Sequence, residues 1–154
     1  MNSEEVNVNM SFQFTLEKVM QFREQEKNTT QTLYQEAVDQ FEQVATQLYE
    51  LLKRKEELEK HAREQVSIGT SIYDLQQNQM KVLQLQQEIQ VKQRATQVAR
   101  EKMNKKQEDF ITKSIELKKY EKMKQMKQEQ YKEEVKRVEL VQMDEMSIRL
   151  FANR

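Results

Sequence analysis

The sequence predicts an all-α protein, folded as an elongated antiparallel two-helix coiled-coil hairpin. Its 154 residues include no proline and a single glycine, so almost nothing in the chain interrupts a helix. Apolar residues recur every seven positions through much of the sequence, which is the spacing of a helix face that packs against another helix. The two halves of the chain also carry opposite net charge, which favours pairing between them.

The second half of the chain carries the longer apolar repeat. Stepping by seven residues gives ten positions, eight of them apolar: Leu75, Val82, Ile89, Thr96, Met103, Phe110, Leu117, Lys124, Tyr131 and Val138. Because 3.6 residues make one helical turn, a seven-residue repeat of this length marks a seam that faces a partner helix. A companion row is more polar, so we expect only modest stability: Asn78, Leu85, Lys92, Ala99, Lys106, Lys113 and Tyr120.

The first half supplies the complementary seam. Eight of its nine positions are apolar, at alternating steps of three and four: Tyr34, Ala37, Phe41, Val44, Leu48, Leu51, Lys55, Leu58 and Ala62. Extended backward, the same register meets Arg23, Lys27 and Thr30, where we expect the pair to be loose or locally splayed. Two interpretations of this segment remain open: a soft spot in an ordinary coiled coil, or a patch reserved for a partner or for bending.

Gly69, Ser71 and Asp74 form the turn signal of the chain. Glycine adopts the left-handed conformation that ends a helix, and Ser71 followed by Asp74 is a capping pattern that starts another. A bend near residue 70 pairs residues whose numbers sum to roughly 140, so the second helix should overhang the first from about residue 128. The predicted boundaries are a disordered extension over residues 1–11, then the hairpin over 12–150 with helix 12–68, turn 69–71 and helix 72–147, and a frayed tail over 148–154.

The charge split favours pairing within one chain. Residues 1–80 carry 8 basic and 14 acidic side chains, whereas residues 81–137 carry 16 basic and 9 acidic ones. Opposite charges along the flanks of the seam favour an antiparallel pair of these halves over a parallel homodimer. We therefore expect a monomer.

The composition argues against catalysis, cofactors and metal binding. His61 stands among charged neighbours, and one glycine cannot build a phosphate-binding loop. The paired carboxylates lack apolar pockets that would raise their pKa. Basic side chains are diluted by acidic ones without aromatic stacking platforms, so no nucleic-acid binding is expected. No run approaches the roughly 20 apolar residues of a membrane span, so we expect a cytoplasmic interaction protein without direct membrane insertion.

Several motifs, taken in order, resemble the flagellar export protein FliJ family, especially its Bacillus-type members, over about residues 12–151. The first helix opens with Phe14-x-Leu16-x-x-Val19-x-x-Phe22-Arg23-Glu24-x-Glu26, and the turn reads Gly69-Thr-Ser-Ile-Tyr-Asp-Leu-Gln-Gln. Later motifs are Lys106-Gln-Glu-Asp, Lys118-Lys-Tyr-Glu-Lys-Met and Met143-Asp-Glu-Met-Ser-Ile-Arg. The family pattern is expected to begin near Met10, so translation starts either there or at Met1.

The resemblance implies a soluble component of the flagellar type III export apparatus, needed for flagellum assembly and motility. Its fold would be similar to the central stalk subunit of rotary ATPases. Members of the family sit in the pore of the hexameric export ATPase, contact the cytoplasmic domain of the export gate and help export chaperones. The implied location is the cytoplasm, at the inner face of the cell membrane beside the flagellar basal body.

We expect partner contacts on both helices. The candidates are Phe14, Phe22, Arg23 and Lys27 on the first helix, and Tyr131, Val135 and Val138 on the overhang, which the first helix is too short to cover. Packing inside the coil is the alternative for each apolar member. The alternative function is an unrelated cytoplasmic coiled-coil scaffold or tether, which would form a stable homo-oligomer.

Overall fold

Two helices account for nearly all of the chain in the computed structural model, which describes residues 3–153. Helix α1 spans Ser3–Ile68 and helix α2 spans Ile72–Ala152, and residues 3–153 contain no strand. The helices pack against each other as an antiparallel hairpin, which confirms the predicted fold class.

The connection between the helices is built by Gly69 and Ser71. Gly69 has a φ of 97°, and its amide donates a hydrogen bond of 2.9 Å to the carbonyl oxygen of Gln65, which closes α1. The Ser71 hydroxyl accepts a hydrogen bond of 3.2 Å from the amide of Asp74 and so caps α2. Asp74 lies in the first turn of α2, where its negative charge complements the exposed amides of the helix start.

The contacts divide the chain into two compact units. Unit 1 combines residues 3–28 with residues 112–153, and unit 2 spans residues 29–111. In unit 2, the predicted seam positions of both helices are all buried or half-buried. The most buried of them are Ala37, Val82, Leu85, Ile89 and Thr96. The seven-residue repeat therefore identified the packed face of each helix in this unit.

Contacts across the seam of unit 2 fix its register. The rings of Tyr34 and Phe110 stack with centroids 6.3 Å apart, and the guanidinium of Arg100 lies 5.5 Å from the ring centroid of Phe41. Further contacts join Lys92 to Gln47 at 2.8 Å, Lys102 to Gln40 at 3.3 Å and Asn78 to Gln65 at 3.0 Å. The residue numbers of these pairs sum to between 139 and 144, close to the predicted 140.

Helix α1 begins earlier than the sequence pattern indicated. Residues 3–11 are helical, whereas the sequence predicted disorder there; residues 1 and 2 lie outside the described range. No glycine or proline interrupts this stretch, and Glu4 and Glu5 place negative charge at the helix start. Helix α2 likewise continues to Ala152, past the predicted end at residue 147. The predicted helix ends relied on an apolar stripe, but a segment without glycine or proline can be helical even where it has no such stripe.

Candidate partner-binding surface

Unit 1 brings together all seven residues that the sequence analysis singled out. It contains the start of α1 and the end of α2, packed side by side. Its buried residues are Leu16 and Leu117, while Val19 and Met20 are half-buried. This narrow seam leaves most of the surface of both helices exposed.

Two aromatic side chains stand exposed on α1. Phe14 is 63% exposed and Phe22 is 57% exposed. The ammonium of Lys18 lies 4.7 Å from the ring centroid of Phe14, and the guanidinium of Arg23 lies 5.9 Å from that of Phe22. Met10, Phe14, Lys18 and Phe22 follow one another at steps of four, which places them along one face of the helix. We call these four residues the aromatic face.

Arg23 belongs to the seam of unit 1, in a closed ring of ion pairs. Its Nη1 lies 2.9 Å from Glu26 Oε2 and 3.5 Å from Glu116 Oε2, and Lys113 Nζ lies 3.5 Å from each of the same two carboxylates. All four side chains are about one-third exposed or less. We call Arg23, Glu26, Lys113 and Glu116 the charged ring.

The charged ring shifts two pKa values in the directions that favour charge. The hydrogen bond from Arg23 holds the pKa of Glu26 below its ordinary value, and the nearby ammonium of Lys113 adds to this effect. The bond to Glu26 in turn raises the pKa of Arg23, with Tyr120 contributing as well. The Nε of Arg23 is buried without a hydrogen-bond partner in residues 3–153, so the network leaves one donor unsatisfied.

The sequence predicted that the two helices are loosely packed or splayed near Arg23, and this prediction is wrong at that residue. Arg23 contacts Glu116 on the opposite helix, and its guanidinium lies 5.8 Å from the ring centroid of Tyr120. Lys27 is also half-buried. Polar side chains fill this part of the seam because opposite charges on the two helices meet in register. The sequence contained the signal, since pairing numbers that sum to 139 places Arg23 opposite Glu116 and Glu26 opposite Lys113.

The predicted overhang of α2 has a partner over part of its length. Because α1 begins at Ser3, its residues Asn9 and Phe12 line a surface cavity together with Tyr131 of α2. Tyr131 is 49% exposed, Val135 is half-buried and Val138 is exposed. The stripe is therefore partly packed within unit 1 while Tyr131 and Val138 stay exposed, and its contact with a partner remains a prediction.

The last three turns of α2, from Leu140 onward, expose a second group of apolar side chains that were not among the predicted partner contacts. These are Leu140, Val141, Met143, Met146, Ile148, Leu150 and Phe151. Val141 and Ile148 are seven residues apart, as are Met143 and Leu150, but none of the group continues the Leu75 series, whose next position after Val138 is Glu145. Phe12, another omission, lies with its ring centroid 5.1 Å from the ammonium of Lys127.

No group of three or more His, Cys, Asp or Glu side chains in residues 3–153 is arranged to hold a metal ion. Within the same range, neither helix contains a segment apolar enough to cross a membrane. What unit 1 does offer is exposed aromatic and cationic surface, the kind of surface that binds other proteins.

Comparisons with known proteins point to one family. The family model described as the flagellar FliJ protein matches residues 12–154. The flagellar FliJ protein of Bacillus subtilis (strain 168) is 35% identical over 142 residues, which cover 92% of this chain and 97% of that protein. No solved structure matches the chain. The chain therefore belongs to the flagellar FliJ protein family, whose members are components of the flagellar export apparatus.

Proposed function

We propose that this protein is a non-enzymatic stalk of the flagellar export apparatus, inserted in the ring of the hexameric export ATPase. It links the ring to the cytoplasmic domain of the export gate and escorts export chaperones. It acts as a monomer in the cytoplasm, at the inner face of the membrane beside the basal body. Membership of the FliJ family supports a role in the flagellar export apparatus. The exposed side chains of unit 1 support contact with a partner protein through that unit.

The aromatic face is the observation on which this proposal mainly rests. Phe14 and Phe22 are each more than half exposed, although burying a phenylalanine side chain is worth roughly 1.5–3 kcal/mol. Charged and amide side chains could occupy these exposed positions, as they do along much of the chain, so the two exposed phenylalanines on one helix face call for another explanation. Protein partners make use of such side chains, because large aromatic anchors supply much of the energy of an interface.

The composition of unit 1 supports insertion of this part of the hairpin. The unit contains both terminal segments of the described chain, one from each helix, so a ring that encloses it contacts α1 and α2 together. The charged ring holds the two segments in register through its ion pairs, while Arg23 also lies 5.9 Å from the ring centroid of Phe22 on the aromatic face. Arg23 and Lys27 are thus assigned to packing within unit 1, and Phe14 and Phe22 to partner contact.

A scaffold or tether is the second candidate function. It draws on the exposed apolar residues at the end of α2, which a second copy of the chain could cover. Such a protein forms a stable homo-oligomer, whereas a stalk is a monomer that stimulates a partner ATPase. The two functions therefore predict different molecular masses in solution.

Stimulation of the purified export ATPase tests the proposal. The test variant is Phe14→Ala with Phe22→Ala; the matched control is Tyr49→Ala with Leu52→Ala, which removes two exposed apolar side chains from α1 in unit 2. Because these four side chains are exposed, both variants should keep the helicity and melting temperature of the parent. The concentration for half-maximal stimulation should rise about tenfold or more in the test variant alone.

Two results would count against the stalk. Parental stimulation by the test variant would remove the aromatic face from the contact, and equal losses in both variants would mean that the contact is not localised to unit 1. A stable homo-oligomer that leaves ATPase activity unchanged would instead favour the scaffold.

A further inference from the structure

Three lysines on α2 of unit 1 form a cationic patch without a counterion. Lys118, Lys119 and Lys122 are exposed, and none of them makes an ion pair with a described residue. Lys118 and Lys122 are four residues apart, and Lys119 and Lys122 are three apart, so the ammonium groups are neighbours on the helix surface. Like charges at these spacings destabilise a helix slightly, and Glu121, three residues from Lys118, offsets part of this repulsion without forming an ion pair with the lysines.

The facing segment of α1 does not neutralise this charge. In the register of unit 1, residues 113–127 of α2 lie opposite residues 13–27 of α1, as the contact of Lys124 with Glu17 at 3.1 Å illustrates. Residues 13–27 contain three basic and three acidic side chains, whereas residues 113–127 contain six basic and two acidic ones. The charged ring already engages two of the acids of this pair of segments. The segment of α2 thus carries uncompensated positive charge.

Apolar side chains flank the lysines on the same face. Ile115 and Met126 are each about half exposed or more, and Ile115, Lys119, Lys122 and Met126 follow at steps of four, three and four. This is the spacing of a helix-packing stripe, but it lies on a different face from the seam residues Leu117 and Tyr120. We call Ile115, Lys118, Lys119, Lys122 and Met126 the lysine stripe.

We propose that the lysine stripe binds an acidic amphipathic helix of a partner protein. Carboxylates of that helix pair with the three ammonium groups, and its apolar side chains cover Ile115 and Met126. The stripe covers 11 residue steps, or about 16 Å of helix, which fits three turns of a partner helix. It has no aromatic side chain for stacking on bases and too little apolar surface to enter a bilayer, so a protein partner fits better than a nucleic acid or a membrane.

This inference is independent of the aromatic face and of the stalk proposal. Lys119→Gln and Lys122→Gln leave Phe14, Phe22 and the charged ring intact. Failure of the ATPase experiment would therefore leave the lysine stripe open to test, and failure of the lysine stripe would leave the stalk proposal standing.

A defined peptide tests the charge and the position of the site. The probe is a stapled 18-residue helical peptide with one leucine face flanked by glutamates, and its matched partner has glutamine in place of glutamate. The test variant is Lys118→Gln, Lys119→Gln and Lys122→Gln; the control is Lys53→Gln, Lys60→Gln and Lys81→Gln, which removes the same charge from exposed positions in unit 2. Binding of the acidic peptide should weaken about tenfold in the test variant and remain near parental in the control.

The alternative ligands are measured on the same proteins. A single-stranded DNA 20-mer and vesicles of phosphatidylserine with phosphatidylcholine serve as the nucleic-acid and membrane probes. If either binds more tightly than the acidic peptide and loses affinity in the test variant, the site belongs to that ligand and the proposal is overturned. Equal weakening of peptide binding in both lysine variants, or equal binding of the glutamine peptide, also overturns it.

A cross-link in living cells identifies the natural partner segment. A photo-cross-linking amino acid replaces Lys119 in one strain and Lys81 in a control strain, and mass spectrometry then sequences the attached peptide. The proposal expects a net acidic helical segment attached at position 119 and absent at position 81. A basic segment, a nucleic acid or a lipid at position 119 would overturn it.

Discussion

Arg23 occupies a seam position of α1 where an apolar side chain would ordinarily pack. Its charge is accommodated because Glu26 and Glu116 approach it from both helices, while Lys113 bridges the same two carboxylates. An isolated ion pair on a protein surface contributes little to stability, but each member of this ring contacts two opposite charges at partly shielded positions. Removal of one member therefore leaves two like charges that share a single counterion, as Arg23 and Lys113 would share Glu116 after the loss of Glu26.

The charged ring should make stability depend on pH in a defined direction. Because the pKa of Glu26 is lowered in the folded protein, its carboxylate stabilises the fold above the ordinary value of 4.5. That stabilisation is lost as the pH falls through the lowered pKa. Glu26→Gln should thus reduce the free energy of unfolding near neutral pH, and its difference from the parent should shrink steadily in acid. Urea unfolding of both proteins across this pH range measures the difference.

Salt provides the control for this prediction. At about 1 M salt the Debye length is near 3 Å, so the difference between Glu26→Gln and the parent should become smaller at neutral pH. A difference that depends on neither pH nor salt would mean that Glu26 acts through packing, and the electrostatic account of the ring would be wrong.

At the scale of the helices, the sequence predicted packing faces well and helix ends poorly. Every predicted seam position of unit 2 is buried or half-buried, because a seven-residue repeat is a direct consequence of two helices in contact. Even Thr96 fits this pattern, since its hydroxyl donates a hydrogen bond of 2.7 Å to the carbonyl oxygen of Lys92 in its own helix. The start of α1 was missed because residues 3–11 have no apolar stripe, and a helix can continue without one.

The candidate site was harder to predict than the fold. Phe14 and Phe22 were selected through the family motif, and the structure places both at the surface. Arg23 was selected with them but packs in the seam, because its neighbours on α2 come from a segment 93 residues away in the sequence. The exposure of Tyr131 on α2 depends on where α1 begins. Because the predicted start of α1 was too late in the sequence, the part of α2 around Tyr131 was predicted to lack a facing helix.

The two faces of α2 in unit 2 offer a matched comparison of stability. Leu85 is 6% exposed in the seam, whereas Leu83, two residues away, is 50% exposed. Leu85→Ala should cost about 2–4 kcal/mol of unfolding free energy, because it removes buried methyl groups and leaves a cavity. Leu83→Ala should stay within about 0.5 kcal/mol of the parent. Chemical denaturation followed by circular dichroism measures both; similar losses would show that the seam is not the stabilising contact of this unit.

At the scale of the whole chain, the charge distribution and the turn both favour pairing of α1 with α2 of the same chain. The acidic first half and the basic second half attract each other, and the turn at Gly69 keeps them at high effective concentration. A second chain must pay the cost of association before it gains the same contacts. The hairpin should therefore form within one chain at any concentration.

Cross-linking at different dilutions tests this expectation directly. The chain has no cysteine, so Gln40→Cys with Lys102→Cys introduces the thiols needed for a short bifunctional reagent. The native side chains at these positions are in contact at 3.3 Å across the seam of unit 2. An intramolecular hairpin should cross-link with a yield that does not change on dilution, and the product should keep the mass of one chain.

Gln40→Cys with Tyr73→Cys is the control and should stay unlinked, because 29 residues of α2, about 43 Å of helix, separate positions 73 and 102. A yield that falls with dilution, with products of twice the chain mass, would replace the hairpin by a dimer in which α1 of one copy pairs with α2 of the other.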